Sequence, residues 1–426
     1  MIYSIVMKTP NPEDLCYSFF YFSSRKEKKI TPLNKVTQYL KIILFILKSH
    51  LKSNKIKEYP GSTMIFIMGS HNHYSVFSRI KPHISFNFDI WNKFGHNEKL
   101  DEYASLPVPS ILNQIKIVLF LLKQEIRNYH LKKANVNRVL IFKTYNNFLG
   151  AVDLFKLSKI KSIILFNDHV AWYRAFIFAA KRTSVKSIYI PHASVSDRFP
   201  KLEFDYAFME GDDMRKKYLE IGPTNTKMLM VGNCKFDKYR KEESPNQIRA
   251  KDETITRIGI AFNLMQEALE VQKLQMYLSS KLSVKIEFII RPHPAIVDKT
   301  AHYYSTLSDP RKEDSLSYIK NLDVLLATNS NIILESLLMN CPVIHIDVTG
   351  NTDADNYGFV SKGIVNPAIS NSEDIYRAIL SFIVQEKGIS TLQKEKLKTY
   401  DYSLGTEFEG KVGQVIAEEL ERIALN

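Results

Sequence analysis

Glycine is scarce in this chain of 426 residues, at 15 positions, and cysteine scarcer, at three. With 45% hydrophobic and 12% aromatic residues beside so little glycine, the composition is that of a packed globular protein and excludes long disordered tracts. Cys16, Cys234 and Cys341 are far apart and odd in number. They therefore exclude a disulfide framework and a metal knuckle, and they suit a reducing cytoplasm. Long apolar runs are missing too: Ile42–Leu47 and Ile115–Leu122 fall short of the roughly 20 residues of a spanning helix. Met1–Met7 lacks the charged start of a signal peptide, and Pro10 and Pro12 interrupt it. A cytoplasmic protein, soluble or peripheral at a membrane, is expected. Neither zinc-finger spacing nor an aromatic-rich RNA signature occurs, so nucleic acid is not the expected partner.

What the chain does have is positive charge. The formal net charge is +13, much of it in Ser23–Lys29, Lys48–Lys57 and Lys123–Lys133 of the N-terminal half. Such a surplus favours an anionic partner, an acidic membrane surface or a phosphorylated substrate.

The length exceeds what one hydrophobic core usually serves, and short apolar runs alternate with longer helical patterns. That alternation is the sign of βαβ units and parallel sheets. Met64–Met68, Val139–Phe142, Ser162–Phe166 and Ser187–Ile190 are predicted strands, with helices over Phe148–Lys159 and Val170–Lys181. The segment Lys238–Thr256 is dense in charge, contains Pro245 and has few large apolar residues, which places a domain boundary there: residues 1–245 and 246–426. The rhythm then restarts, with strands at Ile258–Phe262, Val284–Ile290, Asp323–Leu326 and Val343–Ile346 and helices at Gln266–Leu282 and Asn331–Met339. Phe408–Ile423 carries apolar residues at helical spacing and is predicted to form a last helix that packs back on the first domain. The fold class is α/β, two Rossmann-like domains facing a central cleft.

Two motifs in the second half carry chemistry. In Ile289-Ile290-Arg291-Pro292-His293-Pro294 a buried strand ends in a histidine between two prolines, which stiffen the backbone that presents it. Strand ends facing a cleft are where ligands of open α/β sheets bind. There His293 is suited to donate to a diphosphate or protonate a departing phosphate oxygen, or is an ordinary surface histidine. In Thr328-Asn329-Ser330-Asn331 hydroxyl and amide side chains precede a helix whose free N–H groups attract phosphate, and Glu335, one turn in, is placed to accept from ribose hydroxyls. The plainer alternative is simple N-capping.

Together these motifs make the second half resemble bacterial GT-B transferases marked by an HP motif and a Ser-Ser/Thr motif. These are sialyl- and polysialyltransferases, Kdo transferases and glycerophosphotransferases that use CDP-glycerol. The resemblance implies that His293 contacts the donor phosphate and that Thr328 and Ser330 hold it; Arg291, Asn329 and Glu335, beside them in the same two motifs, are the further candidates for donor binding. It implies no metal and no other cofactor; the acidic loop Asp347–Gly358 has no regular ligand spacing.

In the first half, Leu165-Phe166-Asn167-Asp168-His169 is a strand running into a loop with two titratable side chains. Asp168, then His169, is the candidate base for the acceptor hydroxyl, or Asp168 caps the following helix. The Asp/Glu-Asp/Glu-Gly base motif of the sialyltransferases has no copy, since Met209-Glu210-Gly211-Asp212-Asp213 departs from it. Ile190-Pro191-His192-Ala193-Ser194 resembles the Gln-His-Gly element of capsule and teichoic-acid transferases and places His192 and Ser194 at the acceptor side or cleft. The expected function is inverting transfer of a sugar from a CMP-, CDP- or UDP-linked donor to a glycan or lipid-linked acceptor, in capsule, O-antigen or other surface-polysaccharide assembly. A UDP-sugar 2-epimerase and a non-catalytic GT-B-like binding subunit are the alternatives.

Overall fold

The structure, a computed structural model, describes residues 10–17, 32–51, 61–92, 106–127, 137–196, 198–241, 255–264, 267–282, 285–350, 355, 357–385 and 389–425. Among the described residues ten strands form two separate sheets. The first holds β1 (Met64–Met68), β2 (Asp89–Asn92), β3 (Ser162–Leu165), β4 (Lys186–Tyr189), β5 (Tyr206–Met209) and β6 (Lys227–Met230), in the order β2-β1-β3-β4-β5-β6. The second holds β7 (Thr256–Phe262), β8 (Ile286–Pro292), β9 (Val324–Ala327) and β10 (Val343–His345), in the order β10-β9-β7-β8. Every pairing is parallel. The covering helices are α1 (Pro32–Leu51), α2 (His71–Ile80), α3 (Ile111–Arg127), α4 (Arg138–Leu157), α5 (Ala171–Thr183), α6 (Asp212–Ile221), α7 (Glu267–Lys281), α8 (Ser315–Lys320), α9 (Ile332–Leu338), α10 (Ser372–Gln385) and α11 (Val412–Leu425).

Parallel strands are covered on both faces, so their sequences are continuous apolar runs. β1 is buried along its whole length, and its period of two feeds two cores. Ile65 and Ile67 face the core built with α4 and α5, whereas Met64, Phe66 and Met68 face the one built with α2 and α11. In the second sheet, Ala261, Leu325 and Ala327 pack with α8 and α9, while Ile258, Ile260 and Leu326 pack with α7 and α10.

One predicted strand is a helix. Val139–Phe142 lies in the first turns of α4, whose start is fixed by the Asn137 side chain accepting from the Leu140 N–H at 3.0 Å. Four apolar residues in a row fit either period. Here Ile141, Tyr145, Phe148, Val152 and Phe155 continue the run at helical spacing, and the helix is apolar on several sides because the sheet, α1 and α3 all pack on it.

The chain returns to the first sheet at its end. Val412, Ile416 and Leu420 of α11 share a core with Phe66 and Phe77, and the Asp237 carboxylate accepts from the Val412 and Gly413 N–H groups at 3.1 and 2.7 Å. Gly232 has φ +104°, and a β-carbon there would stand 2.6 Å from the Ser403 Cβ. That glycine is required both by its left-handed backbone and by the close approach of the returning segment. Among the described residues no helix is long and apolar enough to cross a membrane.

In the second sheet the winding reverses between neighbours β7 and β9, so the loops that follow them part and leave a crevice at their C-terminal ends.

Candidate active site in the cleft between the sheets

A cavity of about 250 Å³ opens at that crevice and is lined from both halves. Its second-half wall is built by strand ends. The His293 N–H donates to the Phe262 carbonyl at 2.9 Å, extending the β7/β8 ladder up to the histidine. The Asn263 side-chain amide donates to the Asn329 carbonyl at 2.9 Å and ties together the loops after β7 and β9. His293 is exposed in the cavity wall, and its Nδ1 accepts from the Ala295 N–H at 3.2 Å. A neutral ring so held carries its proton on Nε2 and presents it as a donor. Partial desolvation lowers its pKa below the usual histidine value.

Arg291 also lines the cavity, but much of its guanidinium is engaged elsewhere: Nη1 donates to Ser308 Oγ at 2.6 Å and Nη2 to the Glu313 carbonyl at 2.9 Å. It contributes charge to the cavity more than free donors. Ser330, Asn331 and Glu335, from the loop after β9 and from α9, line the cavity as well. Thr328 does not line the cavity; it is buried, its N–H donates to the Ala261 carbonyl at 3.1 Å, and its Oγ1 has no hydrogen-bond partner among the described residues. Asn331 occupies the N-cap of α9 without a side-chain cap, because its Oδ1 accepts instead from Ser194 Oγ at 2.6 Å, across the cleft.

The first half supplies His192, Ala193 and Lys235, together with Asn72, Ser75 and Arg79 of α2. The His192 Nδ1–H donates to the Phe166 carbonyl, which leaves the Nε2 lone pair unprotonated. Desolvation, then the nearby His73 and Lys235, pushes its pKa down to about 3, so the ring is neutral across the physiological range. His73 stands edge-on at 4.5 Å between ring centroids, hydrogen-bonded to the Tyr173 hydroxyl, and burial lowers its pKa to about 4. Lys235 Nζ donates to the His192 carbonyl at 3.0 Å and lies 3.5 Å from the Glu335 carboxylate, linking the two walls.

Asp168 and His169 are not part of this cavity wall. Asp168 is 1% exposed, with one carboxylate oxygen accepting from Tyr218 at 2.6 Å and the other 2.9 Å from His169 Nδ1. The His169 ring leans on Phe199, with centroids 4.6 Å apart. A carboxylate with both oxygens engaged inside the core is not placed to meet an acceptor hydroxyl, which argues against Asp168 as the base. Nor does Asp168 cap α5: the N-cap, Val170, has no side-chain cap, and Asn167 closes the turn before it by accepting from the Val170 N–H at 2.8 Å.

Sequence reasoning missed the α2 face and Lys235. The signal was available: Asn72, Ser75 and Arg79 recur at i, i+3 and i+7, on the face beside the apolar Val76, Phe77 and Ile80. In the acidic loop, Asp347 Oδ1 accepts from the Thr349 and Gly350 N–H groups at 3.0 Å, an ordinary turn, and Asp353 lies outside the described residues. Among the described residues no three His, Cys, Asp or Glu side chains gather as a metal site.

No protein-family model matches the chain, and no curated protein sequence matches it. Solved structures do match. The wall teichoic acid polymerase TagF aligns over 92% of this chain and 98% of its own, with TM-score 0.54 at 10% identity. S. aureus MnaA in complex with UDP aligns over 84% of this chain and 96% of its own, with TM-score 0.52 at 14% identity. A UDP-N-acetylglucosamine 2-epimerase from Listeria monocytogenes aligns over 84% and 94%, with TM-score 0.50 at 12% identity. The fold is GT-B. Two parallel sheets flank one cleft, and the cavity lies where GT-B proteins bring their two halves together.

Proposed function

We propose that the protein is an inverting, metal-independent glycosyltransferase that moves a sugar from a nucleotide-linked donor to a glycan or lipid-linked acceptor in surface-polysaccharide synthesis. The observation that carries the reading is the pairing of walls: His293, Ser330 and Glu335 at the β7/β9 crevice face His192, Arg79 and Lys235 across one cavity. The second-half wall offers a fixed N–H donor and a hydroxyl to phosphate and a carboxylate to ribose, while Arg291, Arg79 and Lys235 surround the site with positive charge. The relatives in fold support a nucleotide ligand: MnaA was solved with UDP, and TagF was soaked with CDPG.

In the proposed reaction the acceptor oxygen bonds to the anomeric carbon as the carbon–oxygen bond to phosphate breaks. The electron pair leaves on the phosphate oxygen, which accepts a hydrogen bond from His293 Nε2–H. The hydroxyl proton passes to His192 Nε2, whose tautomer is fixed by the Phe166 carbonyl. A base with a pKa of about 3 is weak, and the negative charge of a bound donor raises it. Thr328, buried and bonded through its N–H to the Ala261 carbonyl, positions the loop.

A second reading, UDP-sugar 2-epimerisation, is favoured by the likeness to the UDP-N-acetylglucosamine 2-epimerase from Listeria monocytogenes. Incubation with CMP-, CDP- and UDP-sugars, with and without glycan acceptors, separates the two. Product formed only with acceptor supports transfer, whereas an epimerised sugar released from donor alone supports epimerisation.

A further inference from the structure

α1 and α3 form an outer layer of the first half. Both pack on α4, which itself covers the sheet, and they neighbour each other. An outer helix ordinarily turns polar residues to water. α1 does the reverse. Ile42 is buried and Tyr39, Phe45 and Ile46 pack inward, yet Val36, Leu40, Ile43, Leu44 and Leu47 are each more than half exposed. Their spacing of i, i+4, i+7, i+8 and i+11 gathers them in one arc of about 100° on the outward side. α3 repeats the arrangement, with Ile117 and Leu121 buried and Leu112, Ile115, Leu119 and Leu122 exposed. Ten of the eighteen large apolar side chains exposed among the described residues lie on these two helices. Isolated exposed leucines need no explanation, but a patch of this size marks an interaction surface.

Its chemistry distinguishes the partner. The exposed side chains are aliphatic and their charged neighbours are lysines: Lys41 and Lys48 on α1, Lys123 on α3, all exposed. The sequence that follows α1 adds Lys52, Lys55 and Lys57, and that which follows α3 adds Lys132 and Lys133. Protein interfaces deplete lysine and anchor on aromatic residues and arginine, whereas helices lying in a bilayer surface combine leucine with lysine. Neither helix is long and apolar enough to span a membrane. We infer that the outer face of α1 and α3 docks on an anionic lipid bilayer, its leucine and isoleucine side chains among the acyl chains and its lysines at the headgroups. The inference stands independently of the reaction in the cleft.

Flotation of the full chain with vesicles of phosphatidylcholine alone, or mixed with phosphatidylglycerol, tests it. Binding to the mixed vesicles is expected, at least about tenfold stronger than to neutral ones and weakened by about 0.5 M salt. Leu40→Ser/Leu44→Ser/Leu47→Ser should lower partitioning by about tenfold or more, and Leu119→Ser/Leu122→Ser on the other helix should do the same. Both variants should keep the wild-type melting temperature, since the residues are exposed. Wild-type protein that stays with the non-floating fraction, or serine variants that float like wild type, would overturn the proposal. So would a wild-type dimer that ignores vesicles and becomes monomeric in the serine variants, because the face would then bind a second copy of the chain.

Discussion

The loops after β3 and β4 leave neighbouring parallel strands at the same edge of the first sheet, and each carries a histidine, yet they do opposite things. After β3, Asp168 and His169 turn inward and satisfy each other, Tyr218 and Phe199. After β4, His192 anchors one ring nitrogen on the Phe166 carbonyl and lines the cavity. A strand end therefore brings a residue to the rim of a cleft, and only its hydrogen-bond partners decide which way it faces.

The largest effect should come from the wall opposite both loops. His293→Ala is expected to lower transfer by about 10²–10³-fold, as for loss of a donor to developing charge, in a protein that melts like wild type. A soluble variant with wild-type turnover removes His293 from the mechanism. Next, His192→Gln should reduce turnover by about 10²-fold while leaving donor affinity nearly unchanged, as befits a base that acts on the acceptor. Asp168→Asn makes the contrast: its turnover per folded molecule should stay within a few-fold of wild type, while stability falls by about 1–3 kcal/mol through the disturbed Tyr218 and His169 bonds. If the two variants exchange these behaviours, the comparison of the loops is reversed.

Smaller effects should separate the parts of the donor. Ser330→Ala should weaken nucleotide more than nucleoside, and Glu335→Gln should weaken ribonucleotide more than its 2′-deoxy analogue, both measured by calorimetry. Uniform weakening of all ligands by either variant would assign it a structural role. The pH dependence of stability tests the buried histidines of the first half. His73 and His192 have folded pKa values of about 4 and about 3, below the ordinary 6.5, so the unfolded chain binds more protons between those values. Their contribution to stability is full above pH 6.5 and is lost as pH falls toward 4. His73→Phe should flatten that loss in melting curves recorded from pH 7.5 to 4.5, and an unchanged slope would mean that His73 is not held neutral by the fold.

The second half was legible because its signals are local. An apolar strand, a proline-flanked histidine and a polar turn before a helix follow one another within a few residues, and β7, β8, β9 and β10 fall where continuous apolar runs place them. The first half depends on partners distant in sequence. Asp168 is settled by Tyr218, fifty residues on, and no local pattern announces that bond. Strand β2, Asp89–Asn92, has polar residues at both ends and gives no apolar run. Val139–Phe142 does give one and is helical, because layers packed around α4 make it apolar on several sides. Thr328 and Ser330 share one turn, but the backbone after β9 turns one into the core and the other to the cavity.

The central claim is that the cleft binds a nucleotide diphosphate or monophosphate through the wall of His293 and Ser330. Thermal shift over CMP, CDP, UDP and GDP, on wild type and on His293→Ala/Ser330→Ala, tests it most directly. At about 100 times its dissociation constant the preferred nucleotide should stabilise the wild type by about 2.7 kcal/mol, and the double variant should lose most of that gain. A wild type that none of the four stabilises, or a double variant stabilised as much as wild type, would contradict the account.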